Sequence, residues 1–271
     1  MVGAEAWPWL ILAGAAAGWM DAIAGGGGLI TVPALLACGL PPHVALGTNK
    51  LQALFGSATA AWQYRKAGLV SARHCLRGLV LAFAGAVAGS WSVQAVAPDA
   101  LRRLIPLLLL AVTFYFAIRP GFGAPGQGPR WPLLRLEALA APMLGFYDGF
   151  FGPGTGTFWT LVLVAWGGME LTRATARTKV MNFASNAGAL LVFAAAGSVN
   201  LAVGLGMGLA QAAGARLGAR VAAARGRRFI RPVFLAVVLG LTLRVAWDAW
   251  QQRPGPAHAV APTPAAELSR P

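Results

Sequence analysis

The chain has 271 residues, 57% of them hydrophobic and only 11% charged, with a formal net charge of +14. A mean hydropathy of +0.63 excludes a pair of ordinary water-soluble domains and points to an integral membrane protein. The basic residues cluster between apolar runs, as the positive-inside rule expects, so the charge calls for a lipid bilayer and not for nucleic acid.

Between Ala6 and Pro42 the only charge is Asp21. Residues 7–24 read as a helix that ends at Gly25, Gly26, Gly27 and Gly28, where backbone entropy and the missing side chains disfavour its continuation. From Leu29 to Cys38 an apolar helix resumes for about three turns, roughly half of the ~30 Å hydrocarbon thickness. The spacing therefore predicts a hairpin of short helices over 7–39, its apex at the glycines. Glu5 and the lack of a basic leader predict that this first segment is retained and not cleaved as a signal peptide.

After Pro41 and Pro42 a helix is expected from His43 to Tyr64, carrying Asn49, Lys50, Gln52, Ser57 and Thr59. Arg65, Lys66, Arg73, His74 and Arg77 form a basic loop that should be cytoplasmic. Helices over 78–97 and 104–118, with Pro98 and Asp99 in the turn between them, complete a first membrane repeat, residues 1–119. A Gly- and Pro-rich linker, 120–135, follows.

Residues 136–252 repeat the plan. Gly18, Asp21, Gly25 and Gly27 fall on Gly145, Asp148, Gly152 and Gly154 at an offset of 127 residues. Lys50, Gly85, Gly89 and Arg102 fall on Lys179, Gly214, Gly218 and Arg231 at 129. The rare residue types carry this correspondence, since the chain has three lysines and eight acids and two of each align. The basic 65–77 loop corresponds to the uncharged 194–206, whereas the turn at 97–103 corresponds to a stretch holding Arg227, Arg228 and Arg231. Equivalent loops thus face opposite sides. The expected fold is an all-α polytopic membrane protein whose two homologous halves form an inverted repeat. Each half has a glycine-broken short-helix hairpin plus about three transmembrane helices. The tail, 253–271, holds five prolines and is expected to be disordered.

Broken helices of such repeats meet near the bilayer midplane with exposed N-termini, which favour anions. Leu29 and Thr157 lie at those N-termini, and Gly25, Gly26, Gly27, Gly28, Gly152 and Gly154 allow close approach to the backbone. Lys50 and Lys179 would bring full charges to the cavity. Asn49, Asn182, Asn186, Thr155, Thr157 and Thr178 would add directional hydrogen bonds. These residues form a candidate substrate site for a small anion, used twice. Asp21 and Asp148 would neutralise the lysines in the empty state, carry a coupling proton, or tie down the glycine breaks by bonding backbone amides. For the lysines alone the alternative is snorkelling to an interface.

Trp62, Tyr64, Trp91, Trp247 and Trp250 read as an interfacial belt. His43, His74 and His258, in loops or tail, have no ligand spacing, Cys38 and Cys75 read as packing residues, and Gly25–Gly28 lacks the Gly-Lys-Ser/Thr of a nucleotide loop. No cofactor or metal is expected.

The stretch Gly18-Trp-Met-Asp-Ala-Ile-Ala-Gly-Gly-Gly-Gly-Leu-Ile-Thr-Val-Pro33 with Gly47-Thr-Asn-Lys50 resembles the sulfite exporter TauE/SafE family of membrane transporters, as does Gly145-Phe-Tyr-Asp-Gly-Phe-Phe-Gly-Pro-Gly-Thr-Gly156 with Arg177-Thr-Lys179. The resemblance covers nearly the whole chain to about Trp250. It implies transport of sulfite, sulfonate or sulfoacetate-type anions across a bacterial inner membrane. Arg177, where the first copy has Thr48, would make the two half-sites unequal in charge. The expected function is a secondary anion transporter working by alternating access, and not an enzyme, because His and Glu are too sparse to build a catalytic centre. A membrane scaffold without transport activity is the alternative.

Overall fold

The computed structural model describes residues 3–117 and 131–226. Among them are nine α-helices and no strand. The helices are α1 (Trp7–Ala24), α2 (Gly28–Ala37), α3 (Pro42–Lys66), α4 (Leu76–Gln94), α5 (Pro98–Ala117), α6 (Leu133–Phe150), α7 (Thr155–Ala165), α8 (Leu171–Ala195) and α9 (Leu201–Arg225). The all-helical expectation and the short α2 and α7 after the glycine breaks are as read from the sequence. The expected tail, most of the linker, and the region of Arg227, Arg228, Arg231, Trp247, Trp250 and His258 lie outside the described residues.

Local chemistry explains where the helices stop and start. At Gly25 the backbone takes φ +83°, and its N–H closes on Asp21 O at 2.9 Å, ending α1. The second break uses Gly152 at φ +100° and Gly154 at φ +87°. Glu170 caps α8 by accepting from the N–H groups of Thr172 and Arg173, and Asn200 caps α9 by accepting from Val203 N–H at 3.1 Å. Three sequence expectations need correction. Pro98 and Asp99 are not in a turn but form the first turn of α5, where a proline costs no hydrogen bond. His43 lies inside α3, its Nε2 at 3.1 Å from Val93 O. Tyr64 is fully buried instead of interfacial, and its hydroxyl donates to Ala22 O at 2.8 Å. Trp62 and Trp91 are exposed as expected of a belt. α6 starts at Leu133, inside the stretch assigned to the linker.

Glycines set the packing. Gly14 and Gly18 of α1 lie against Met207 and Gln211 of α9, while Gly214 and Gly218 of α9 lie against Ala15 and Trp19 of α1. The same contact recurs between α4 and α6, where Gly85 and Gly89 meet Pro142 and Phe146, and Gly145 and Gly149 meet Ala82 and Ala86. Small residues let the backbones approach closely, the usual device for helices that lack a hydrophobic drive to associate in lipid. In both pairs the residue numbers rise together, so the helices run parallel. Each half's first helix therefore packs on the other half's fourth, and the halves interlock. α3 also runs parallel to α9, with Leu51 on Gly204 and Phe55 on Gly208. α3 and α8 face each other in opposite directions, Gly47 against Phe193 at one end and Trp62 sharing a groove with Phe183 towards the other.

The distribution of polarity is the reverse of a soluble protein. Lys50, Lys179, Asn49, Asp148, Asn182, Asn186 and Gln211 are buried, whereas Trp9, Leu12, Leu107, Phe114, Leu139, Met143, Leu191 and Leu209 are exposed. An apolar exterior of this extent is what a bilayer covers. Among the described residues, Arg73–Gln94 has by length and composition alone what a lone crossing needs. α3 and α8, at 25 residues each, are as long but turn their charged residues inward.

Candidate functional site

The two glycine breaks abut each other at the centre of the molecule. Gly25 lies against Gly156 and Thr157, and Gly28 lies 3.2 Å from Pro153, measured from the Cβ each glycine lacks. Thr157 donates its hydroxyl to Ala24 O at 3.1 Å, fastening the start of α7 to the end of α1. Tyr147 does the same within its own half, donating to Pro153 O at 2.6 Å.

Around this junction the lysines and acids pair crosswise. Lys50 of α3 meets Asp148 of α6, Nζ to Oδ1 at 2.7 Å, and also donates to the Asp148 carbonyl. Lys179 of α8 meets Asp21 of α1, Nζ to Oδ2 at 3.0 Å. Both lysines are 1% exposed or less, so snorkelling is ruled out in this conformation. Each ion pair joins one half to the other. Asp21 also accepts from Gly27 N–H at 3.3 Å, and Asp148 accepts from the Ser185 hydroxyl. Asp21 thus pairs its lysine and ties down its glycine break at once. Two formal positive charges face two negative ones, and the cluster is neutral overall.

The polar neighbours repeat as well. Thr31 donates to Asn49 Oδ1 at 2.7 Å, and the residues 129 positions on, Thr160 and Thr178, have hydroxyls 3.2 Å apart. Gln52 also donates to Asn49 Oδ1, at 3.1 Å. Thr155 donates to Gly152 O at 2.6 Å and Asn186 to Asn182 O at 2.7 Å. A small cavity of about 30 Å³, the room of one or two waters, lies among Asp21, Gly26, Gly27, Gly28, Asn49, Asp148, Gly152, Gly154, Thr155, Asn182 and Asn186. Those residues were all expected at one site and are brought together there. Gly25 and Thr157 stand behind this lining in the junction, Lys50 and Lys179 in the ion pairs, and Thr178 in its hydroxyl contact with Thr160.

Three features differ from the sequence reading. The Leu29 and Thr157 amides are not free, since they donate to Gly26 O and Gly154 O at 2.9 Å each. Tight turns at the breaks consume these two donors. Arg177 does not unbalance the half-sites, because it pairs with buried Glu137 and donates to His74 O at 2.7 Å, away from the cavity. Gln211 and Ser185 belong to the junction and were missed. Gln211 lines the cavity from α9, and its Oε1, like Asn182 Oδ1, has no hydrogen-bond partner among the described residues. Its signal was legible, as the only polar side chain between Asn200 and Arg216.

The model of the family described as sulfite exporter TauE/SafE matches residues 10–245. A probable membrane transporter protein of Sinorhizobium sp, ORF9, is 44% identical over 239 residues, covering 88% of this chain and 92% of that protein. The probable membrane transporter protein YfcA of Escherichia coli K12 is 39% identical over 236 residues, 87% of this chain and 88% of its own. A probable membrane transporter protein of Haemophilus influenzae is also 39% identical, over 88% of this chain and 94% of its own. No solved structure matches significantly. The match of the family model over both glycine breaks and both ion pairs, with relatives of this identity and coverage, makes the chain a member of the sulfite exporter TauE/SafE family of membrane transporters.

Proposed function

We propose that the protein is a multi-pass secondary transporter of the bacterial inner membrane, carrying small sulfur-containing oxyanions by alternating access of two inverted halves. The observation that carries the proposal is the pair of crossed ion pairs at the glycine breaks, Lys50 with Asp148 and Lys179 with Asp21. Sulfite-type substrates are suggested by the family's description alone. The names of the relatives fit transport better than turnover of a substrate.

The helix directions favour inversion. α3, at 25 residues, is about 37 Å long. The connection from Ala67 to Cys75 spans at most about 30 Å, too short to return along it, so α4 must run back against α3. Since α3 and α9 are parallel, α4 and its counterpart α9 point in opposite directions, as do α3 and α8. Copies that point oppositely are related by an axis in the membrane plane.

A neutral, closed cluster dictates how an anion can enter. A lone anion would add net charge to a low-dielectric site and compete with a carboxylate for its lysine. A monoanion such as hydrogensulfite arriving with one proton keeps the site neutral, because protonation of Asp148 or Asp21 frees the lysine to hold the anion; a doubly charged sulfite needs both carboxylates protonated. Since each pair ties the two halves together, releasing one also loosens the contact between them. The unused amide ends of Asn182 and Gln211 supply hydrogen bonds to the bound oxyanion once the amide is turned to present its N–H. A cavity of about 30 Å³ corresponds to the closed state, and opening accompanies loading.

Purified protein in liposomes tests this. Sulfite flux should follow an imposed pH gradient and respond weakly to membrane potential. Flux that follows the potential and ignores the pH gradient would defeat the coupled mechanism, and no flux of any sulfur oxyanion would defeat the substrate class.

A further inference from the structure

Two cavities outside the central site meet at Trp62. One, of about 450 Å³, lies between α3 and α9 and is lined by Thr59, Gln63, Lys66, Arg216 and Arg220. The other, of about 240 Å³, lies where α3, α4 and α8 meet and is lined by Ala61, Val70, Leu79, Val180 and Phe183, with Arg65 as its one charged residue. Ala58 and Trp62 line both. Lys66, Arg216 and Arg220 are exposed, and none has a carboxylate partner among the described residues. Arg65 and Lys66 stand over the Trp62 ring, at 5.7 Å and 5.3 Å from its centroid.

We infer that this composite groove binds one anionic phospholipid, its phosphate headgroup against Lys66, Arg216 and Arg220 and an acyl chain in the apolar cleft where α3, α4 and α8 meet. A basic cleft alone would suit any anion. The adjoining apolar cleft, with a tryptophan at the boundary, matches the two-part chemistry of a lipid, and the surrounding bilayer supplies that ligand. The repeat isolates the feature. At the offset of 129 residues, Trp62, Gln63 and Lys66 become Leu191, Val192 and Ala195, and Arg216 and Arg220 become Val87 and Trp91. The equivalent groove in the other copy therefore carries none of these charges. With the halves inverted, the lipid site exists in one leaflet only, the one beside the basic 65–77 loop. Anionic lipid content would then stabilise the helix pair α3–α9 at one face of the membrane.

The inference rests on the membrane setting and not on the transported anion, so its test needs no flux. The apparent Tm of the full chain in neutral detergent is measured with phosphatidylglycerol, with phosphatidylcholine and with inorganic phosphate. Phosphatidylglycerol should raise the Tm of the wild type by several degrees, and the other two should leave it unchanged. The shift should vanish in Arg216→Gln/Arg220→Gln, and should weaken in Lys66→Gln, at the exposed end of α3, should the double variant not fold. An equal shift in wild type and variants would mean nonspecific annular lipid and overturn the inference. So would the absence of any shift, and a shift produced by phosphate alone would reassign the cleft to a free anion.

Discussion

Lys50 is the residue on which most of the central chemistry converges. It is 1% exposed, touches both the carboxylate and the carbonyl of Asp148, and reaches across from one half of the chain to the other. Removing one partner of a buried ion pair leaves an uncompensated charge, which costs about 3–5 kcal/mol, whereas replacing both with apolar groups is often neutral. Lys50→Met should therefore lower thermal stability sharply and abolish flux. Lys50→Met/Asp148→Leu should regain most of the stability and none of the flux. Thermal unfolding and liposome transport, measured on the same preparations, check both halves of that expectation. Gly25 separates strain from crowding. A Cβ there would lie 2.6 Å from Thr157 N with φ at +83°, whereas Gly68, at φ +71°, has nothing within 4 Å. Gly25→Ala should cost at least about 2 kcal/mol from conformation and clash together, and Gly68→Ala only about 1 kcal/mol from conformation.

At the scale of elements, the parallel pairs α1–α9 and α4–α6 hold the halves in register through glycine. The alignment of Gly85 and Gly89 with Gly214 and Gly218 was visible in the sequence, but not that each pair packs against the other half's first helix. A helix surface has several faces, and only the partner decides which of them is an interface. Gly14→Leu would drive a side chain into the Met207 backbone, where the Cβ alone would stand 2.8 Å from Met207 O. It should reduce the yield of folded protein and the apparent Tm, because overpacking typically costs about 1–3 kcal/mol even for smaller additions. Gly3→Leu, with open space around it, should change neither. Chromatographic profile and unfolding temperature of the two variants measure the contrast.

At the scale of the whole molecule, the proposed inversion would place Gly68 and Gly197, which are equivalent in the two copies, on opposite faces of the membrane. Both have space around them, so a cysteine at either meets no neighbour and carries only the conformational cost of a positive φ, about 1 kcal/mol. In a background with Cys38 and Cys75 replaced, an impermeant thiol reagent should label Gly68→Cys from the cytoplasmic side only and Gly197→Cys from the other side only. Labelling of both from one side would require a parallel duplication. The sequence by itself determined the membrane class, the helical hairpins at Gly25–Gly28 and Gly152–Gly154, the twofold repeat and the residues that gather at the centre. Composition, helix-breaking glycine and rare intramembrane charges are local signals, and they act wherever the chain goes. Only the tertiary structure decided that Lys50 pairs with Asp148 and Lys179 with Asp21, that the Leu29 and Thr157 amides are already used, that Arg177 is neutralised by Glu137, and that Gln211 joins the cavity. The Leu29 and Thr157 amides are taken by the turns of the breaks themselves, and the Arg177–Glu137 pair joins two helices of one half. The two crossed ion pairs depend on which helix lies beside which, with partners from opposite halves of the chain, where no spacing along the sequence records them.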